Sequence, residues 1–244
     1  MMSDLLTALP PGALMMLAAV PLVLVPHHAR QVVMLLAIAG SAFSLTAGAG
    51  QHLNIEMLGF EMSLYRADHL SLPFAIVFHI AAALNVFYGW HERKATDHVA
   101  GLSYAGAAIA ALHAGDLVTL FIWWEATAVT SVFLILASGT QRARRAAMRY
   151  LIVQVASGVL LLAGAAMLYS ESGSLAFAGM TLGSTGTWMI FIAFGIKAAF
   201  PLLNGWLQDA LIPRRPSSVR SCCLPSPPSS PSTHWRAVSP GPIC

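Results

Sequence analysis

The sequence predicts an all-α protein: a polytopic transmembrane bundle of about seven spanning helices with its N-terminus outside. Three observations carry this expectation. Of 244 residues, 57% are hydrophobic and only 9% are charged, where an ordinary soluble domain is about 25% charged, and mean hydropathy is +0.70. The apolar residues form continuous runs, as helices surrounded by lipid and other helices require, rather than the alternation of spanning strands. The basic residues fall in alternate connections between those runs.

The runs cover residues 9–25, 31–50, 69–90, 99–114, 117–137, 150–169 and 187–207. A helix needs roughly 20 apolar residues to cross a bilayer. The third, fifth and sixth runs meet that easily, and the first and fourth are shorter. One set of connections holds Arg30, then Arg93 and Lys94, then Arg142, Arg144, Arg145 and Arg149, whereas the opposite set holds only Arg66. Positive charge marks the cytoplasmic side, so the basic connections face inward. The N-terminus has Asp4 and no basic residue before Arg30, which argues against a cleaved secretory leader. After Pro213 the chain becomes rich in Ser, Pro and Arg, without helical period or apolar face. It reads as a disordered cytoplasmic tail. All three cysteines, Cys222, Cys223 and Cys244, lie in that tail, so neither a disulfide framework nor a cysteine metal site is expected.

Two ionisable residues lie deep in apolar runs. Glu125 is nine residues past Asp116, roughly 13 Å along a helix and close to the midplane. Lys197 lies about ten residues into the last run, at similar depth by the same rise. Both runs cross in the same direction, so an acid and a base reach one level on two helices. Each charge alone costs about 2.5–3.5 kcal/mol on insertion scales. Pairing, water and altered proton affinity can offset that cost, and groups so placed make a proton relay. A buried ion pair that only locks two helices is the other reading. Gly195, Pro201 and Gly205 flank Lys197 and predict a broken helix that lines a cavity, with a simple proline kink as the alternative.

The remaining polar residues point elsewhere. His79, inside the third run, reads as a polar tie between helices. His113 and Asp116 read as residues at the outer mouth of a path, with Asp209 a weaker candidate at the inner end. No His, Asp or Glu set has metal-ligand spacing, and neither a phosphate-binding loop nor a nucleophile elbow occurs. No cofactor, metal or nucleic-acid partner is therefore expected, and no catalytic residue is assigned.

Several stretches resemble a known family. "GDLVTLFIWWEATAVTSVFLIL" resembles the fifth helix of antiporter-like proton-conducting subunits, "GTQRARRAAMRYLIVQVASGVLLLAGAAMLY" the following loop and sixth helix, and "FGIKAAFPLLNGWLQDA" the broken seventh. The family comprises large membrane subunits of multisubunit sodium/proton antiporters and of respiratory complex I, and the resemblance is best to the D-type subunit of the antiporters. It is strong from about Ser103 to Ala210 and weak before Asp68. It implies that Glu125 and Lys197 form the charge pair on the proton path. It also implies two inverted five-helix repeats after a few leading helices, so residues 1–98 would hold leading helices 1–3 and residues 99–212 helices 4–7 of a partial proton-conducting domain. A shifted frame through residues 213–244 permits an apolar segment with a central lysine, so a truncating frameshift after about residue 213 is expected.

Three functions follow. The first is a proton-translocating subunit of a cation (Na+)/proton antiporter in the inner (plasma) membrane, partnered by lipid and other subunits. The second is a proton-pumping subunit of an NADH–quinone oxidoreductase-like complex, whose redox catalysis would belong to partner subunits. The third is an inert truncated remnant.

Overall fold

The computed structural model describes residues 10–47, 52–57, 60–177 and 182–201. Helix α1 is Pro11–Ala19, continued by a 3-10 turn at Val20–Val23, and α2 is His27–Ala47. Strands β1 (His52–Met57) and β2 (Phe60–Arg66) precede α3 (Ser71–Tyr88) and α4 (Ala95–Leu112). Helices α5 (Leu117–Leu136), α6 (Gln141–Ser172) and α7 (Thr185–Lys197) complete the described elements. Four segments are long and apolar enough to cross a membrane: His27–Leu45, Ser71–His91, Leu117–Leu136 and Gln141–Ser172. Pro11–Val23 and Thr185–Lys197 are shorter apolar helices. The protein is a multi-pass membrane bundle, as expected from sequence.

Local chemistry moves several boundaries. Helix α6 begins at Gln141, not 150, because Thr140 Oγ1 accepts from Ala143 N (3.1 Å) as its N-cap and the Arg/Ala-rich start is a good helix former. At about 1.5 Å per residue its 32 residues outrun an approximately 30 Å hydrocarbon core by several turns. It ends on Gly173 in the left-handed region, φ 66°. Helix α4 begins at Ala95, with Asp97 in its first turn, where a carboxylate opposes the helix dipole. The 98/99 boundary thus falls inside α4. Helix α7 stops at Lys197, ten residues before the expected end.

The connection after α2 carries an antiparallel hairpin that the hydropathy pattern does not foretell. Its register runs from His52 opposite Arg66 to Met57 opposite Phe60, with an irregularity between Leu53 and Asn54. A connection of that length must pair its backbone groups somewhere. Those of β2 reach the α4–α5 connection: Arg66 N donates to His113 O (2.8 Å) and Gly115 N to Ser63 O (3.0 Å). Leu117 N also donates to Leu175 O (3.1 Å), so three connections on one face of the bundle are stitched together.

The opposite face is tied in the same way. Arg30 is buried and donates to Leu22 O, Val25 O and Arg93 O, closing carbonyls that α1 and the following turn leave open. Gln31 Nε2 donates to Trp90 O (3.3 Å), and Lys94 Nζ to Ala137 O (3.3 Å). Connections that charge alternation assigns to one side are bonded to one another.

Two apolar cores result. One joins Met15 and Leu22 of α1 and its following turn, Met34 and Ile38 of α2, Ala82 and Val86 of α3, and Leu102 and Ile109 of α4. The other joins Leu117 of α5, Leu161 and Ala165 of α6, and Ile190 and Ala193 of α7, with Leu175. Helix α4 therefore packs with the leading helices and also against α5. His79 is the tie expected of it: Nδ1–H donates to Ala75 O (2.7 Å), and Nε2 lies 2.9 Å from Ser41 Oγ, itself 2.7 Å from Pro11 O.

Residues 1–212 and 213–244 form separate units. The second, including the tail cysteines and the expected frameshifted stretch, lies outside the described residues. So do Gly205 and Asp209.

Candidate functional site

The site is built from α5, α6 and α7, with α6 packed against both others. Asp116 fixes where α5 starts. Its Oδ1 accepts from Val118 N and Thr119 N (both 2.8 Å), and its Oδ2 from Thr119 Oγ1 and Ser63 N (both 2.7 Å). It is an N-cap that also anchors β2. His113, 1% exposed, sends Nδ1–H to Ile109 O (2.8 Å) and stacks on Tyr65 with centroids 5.2 Å apart. Both residues stand at the hairpin end of α5, two turns and more from Glu125.

Helix α7 starts with a capping box, in which Ser184 and Thr187 exchange side-chain bonds to backbone. It ends in a Schellman pattern: Ala199 N donates to Ile196 O (3.1 Å) and Phe200 N to Gly195 O (3.0 Å). The left-handed position of that motif is usually glycine, yet here it is Ala199, with φ 53°. Pro201 follows and cannot resume the helix. Helix α7 thus ends at Ala198–Ala199, just past Lys197. Gly195 leaves room for it, because a Cβ there would lie 2.9 Å from the Phe200 ring.

Lys197 therefore occupies the last turn of a helix, where the dipole favours a cation. Its Nζ donates to Trp124 O (3.3 Å) and stands 5.0 Å from the Trp124 ring centroid. The same ring packs on Phe194 at 4.7 Å. The partners that offset the lysine's cost are thus the backbone and ring of the residue before Glu125, a cation–π arrangement. Arg66 and Asp68 form an ion pair (2.9 Å) at the hairpin end. Glu125 and Lys197 are neighbours without direct contact.

The Glu125 carboxylate lies against Gly158 of α6, where any Cβ would collide with Oε1. That Oε1 is buried and has no hydrogen-bond partner among the described residues, and the same holds for Gln154 Oε1 one turn along α6. Sequence reasoning missed Trp124, Gly158 and Gln154. Gln154 is visible as an amide in an apolar run, but an amide does not titrate and so gives no relay signal of its own.

Comparison with known proteins places this geometry. Residues 114–219 match the family described as NADH:quinone oxidoreductase/Mrp antiporter, TM. The likeness to that family thus lies in α5, α6, α7 and the residues just after them. The chain is 31% identical over 160 residues to an NAD(P)H-quinone oxidoreductase chain 4 from Trichodesmium erythraeum, covering 59% of this chain and 28% of that one. It is 25% identical over 130 residues to the D-type subunit of a Na(+)/H(+) antiporter from Bacillus subtilis, covering 49% and 26%. The fold matches a chain of respiratory complex I from Thermus thermophilus with a TM-score of 0.69 and 20% identity, over 82% of this chain and 46% of that one. The chain spans less than a third of the length of these two curated relatives. Glu125, Lys197 and the end of α7 all lie within the matched residues.

Proposed function

We propose that this chain is a proton-translocating part of a multisubunit cation/proton antiporter in the inner membrane, with Glu125 and Lys197 as its relay and the basic connections facing the cytoplasm. The observation that carries the reading is the seating of Lys197. A cation ends a broken helix against Trp124, beside a carboxylate whose Oε1 is buried and unpaired. The Trp124 carbonyl and ring hold the ammonium near Glu125 without neutralising it, so the two groups can sense each other's protonation without locking as an ion pair. Asp116 and His113 brace the outer end of α5 in this reading, and Asp209 is a further candidate at the inner end.

A proton-pumping role in an NADH–quinone oxidoreductase-like complex is the second reading. The longer match and higher identity to the Trichodesmium relative favour it. Sodium as the exchanged cation belongs to the first reading alone.

The test is co-reconstitution of the chain with its partner subunits in vesicles containing a pH-sensitive dye. Proton movement driven by a sodium gradient marks an antiporter, and movement coupled to quinone reduction marks the alternative. Either flux should fall at least about tenfold in Glu125→Gln, the equivalent of about 1.4 kcal/mol. Flux unchanged in both Glu125→Gln and Lys197→Met, with assembly intact, would remove the relay.

A further inference from the structure

Helix α6 buries one side against α5 and α7 and leaves the other open. Ala147, Tyr150, Gln154 and Leu161 lie on the buried side. On the open side Arg144 and Arg145 are exposed, and so are Met148, Ile152, Val155 and Val159. Residues three and four apart are neighbours on a helix surface. Arg144 and Arg145 therefore both stand one turn before Met148, and Ile152 follows one turn after it. From its basic end, the open side of α6 presents a pair of guanidinium groups and then a continuous apolar track.

Depth decides what such a surface meets. The apolar run of α6 begins near residue 150, and Arg144 and Arg145 precede it by six and five residues, about 8–9 Å of helix. The polar layer on each side of a bilayer is about 5–8 Å deep, from the difference between total and hydrocarbon thickness. Long arginine stems cover the remainder, so both guanidinium groups fall at phosphate level. The track from Met148 to Val159 covers about 16 Å of helix, or one leaflet of an approximately 30 Å core.

The neighbouring charges leave this pair available. Arg30 is buried and spent on three carbonyls, and Lys94 Nζ donates to Ala137 O. Arg144 and Arg145 make no ion pair among the described residues. The acids at this end, Glu92 and Asp97, lie in the connection into α4 and in its first turn, and α4 packs on α1, α3 and α5. An acidic segment of a partner protein would match the two arginines but not a leaflet-long apolar track that begins directly beneath them.

We propose that the open side of α6 binds one anionic phospholipid, with its phosphate on Arg144 and Arg145 and an acyl chain along Met148, Ile152, Val155 and Val159. Arginine suits a phosphate because its planar fork donates two parallel hydrogen bonds. Basic clusters flanking a spanning helix attract anionic lipid. A zwitterionic lipid carries the same phosphate beside its own ammonium group, which weakens its attraction to the pair. Neither Glu125 nor Lys197 belongs to this surface, so lipid binding here and proton flux through those residues are independent measurements.

Native mass spectrometry of the delipidated full chain, titrated in detergent with dioleoyl phosphatidylglycerol or dioleoyl phosphatidylcholine, reads the site. The first phosphatidylglycerol should bind about tenfold more tightly than the first phosphatidylcholine. Arg144→Gln/Arg145→Gln should abolish that preference and leave phosphatidylcholine binding unchanged. Arg66→Gln/Arg93→Gln, which removes the same net charge elsewhere, should keep it. A wild-type chain without the preference overturns the site, as does a preference that survives Arg144→Gln/Arg145→Gln or falls equally in Arg66→Gln/Arg93→Gln. Displacement of the lipid by an equal concentration of glycerol 1-phosphate would also overturn it, because the phosphate alone would then suffice. If the double variant fails to fold, Arg145→Gln alone should lower the preference about threefold, and no change in it counts against the site.

Discussion

Asp116 shows how a carboxylate at the end of an apolar helix can serve architecture. All four hydrogen bonds it accepts come from the protein itself, three within α5 and one from Ser63 of β2. Replacing an N-cap with alanine costs about 0.5–2 kcal/mol, and the orphaned Ser63 N–H adds to that. Asp116→Ala should therefore lower stability by about 2–3 kcal/mol in denaturant unfolding of the detergent-solubilised protein. Asp116→Asn, which keeps an oxygen acceptor for the cap, should lose less. A loss below about 0.5 kcal/mol for the alanine variant would mean that the hairpin and cap are held by other contacts. Lys197 obeys a different rule. Its charge is met by a helix end, a carbonyl and an indole face rather than by a carboxylate.

At the scale of an element, the end of α7 is the most demanding piece of backbone described. The Schellman hydrogen bonds place a residue in the left-handed region, and Ala199 carries a Cβ that this region disfavours by about 1–2 kcal/mol. The strain sits two residues from Lys197. Ala199→Gly removes it, less the extra freedom that glycine gives the unfolded chain, for a net gain of about 0.5–1 kcal/mol. Ala199→Val adds a branched side chain at the same φ and should destabilise by more than that gain. Thermal unfolding of the two variants should bracket the parent. If Ala199→Gly were the less stable of the pair, the left-handed turn would not be the resting form of this segment. Pro201 marks in the sequence that α7 must end near here, but not in which register. Proline marks where a helix cannot resume, whereas the last helical residue is fixed by which amides find carbonyls at Gly195 and Ile196.

At the scale of the whole molecule, hydropathy located every described helix within a few residues at its best end, because burial in lipid demands long apolar runs whatever their neighbours. It could not foresee the β1–β2 hairpin, whose existence depends on backbone partners at Ser63 and Arg66 contributed by a distant connection. Nor could it find Trp124 and Gly158, ordinary residues of a spanning helix that matter only because Lys197 and Glu125 arrive beside them. Charge alternation was legible for a simpler reason: Arg30, Lys94 and the α6 arginines stay on one face whichever way the helices pack. The hydrogen bonds of Arg30 and Lys94 to other connections on that face, and of β2 to the opposite set, make the alternation a single property of the bundle. It should therefore be testable at one residue per face. With Cys222, Cys223 and Cys244 changed to serine, Lys94→Cys and Ser174→Cys each place one thiol at an exposed position. A membrane-impermeant maleimide added to intact cells should label Ser174→Cys, and should label Lys94→Cys only after permeabilisation, since basic connections are retained in the cytoplasm. The reverse pattern would invert the bundle. Labelling of both from outside would mean that the two connections do not lie across a bilayer from each other.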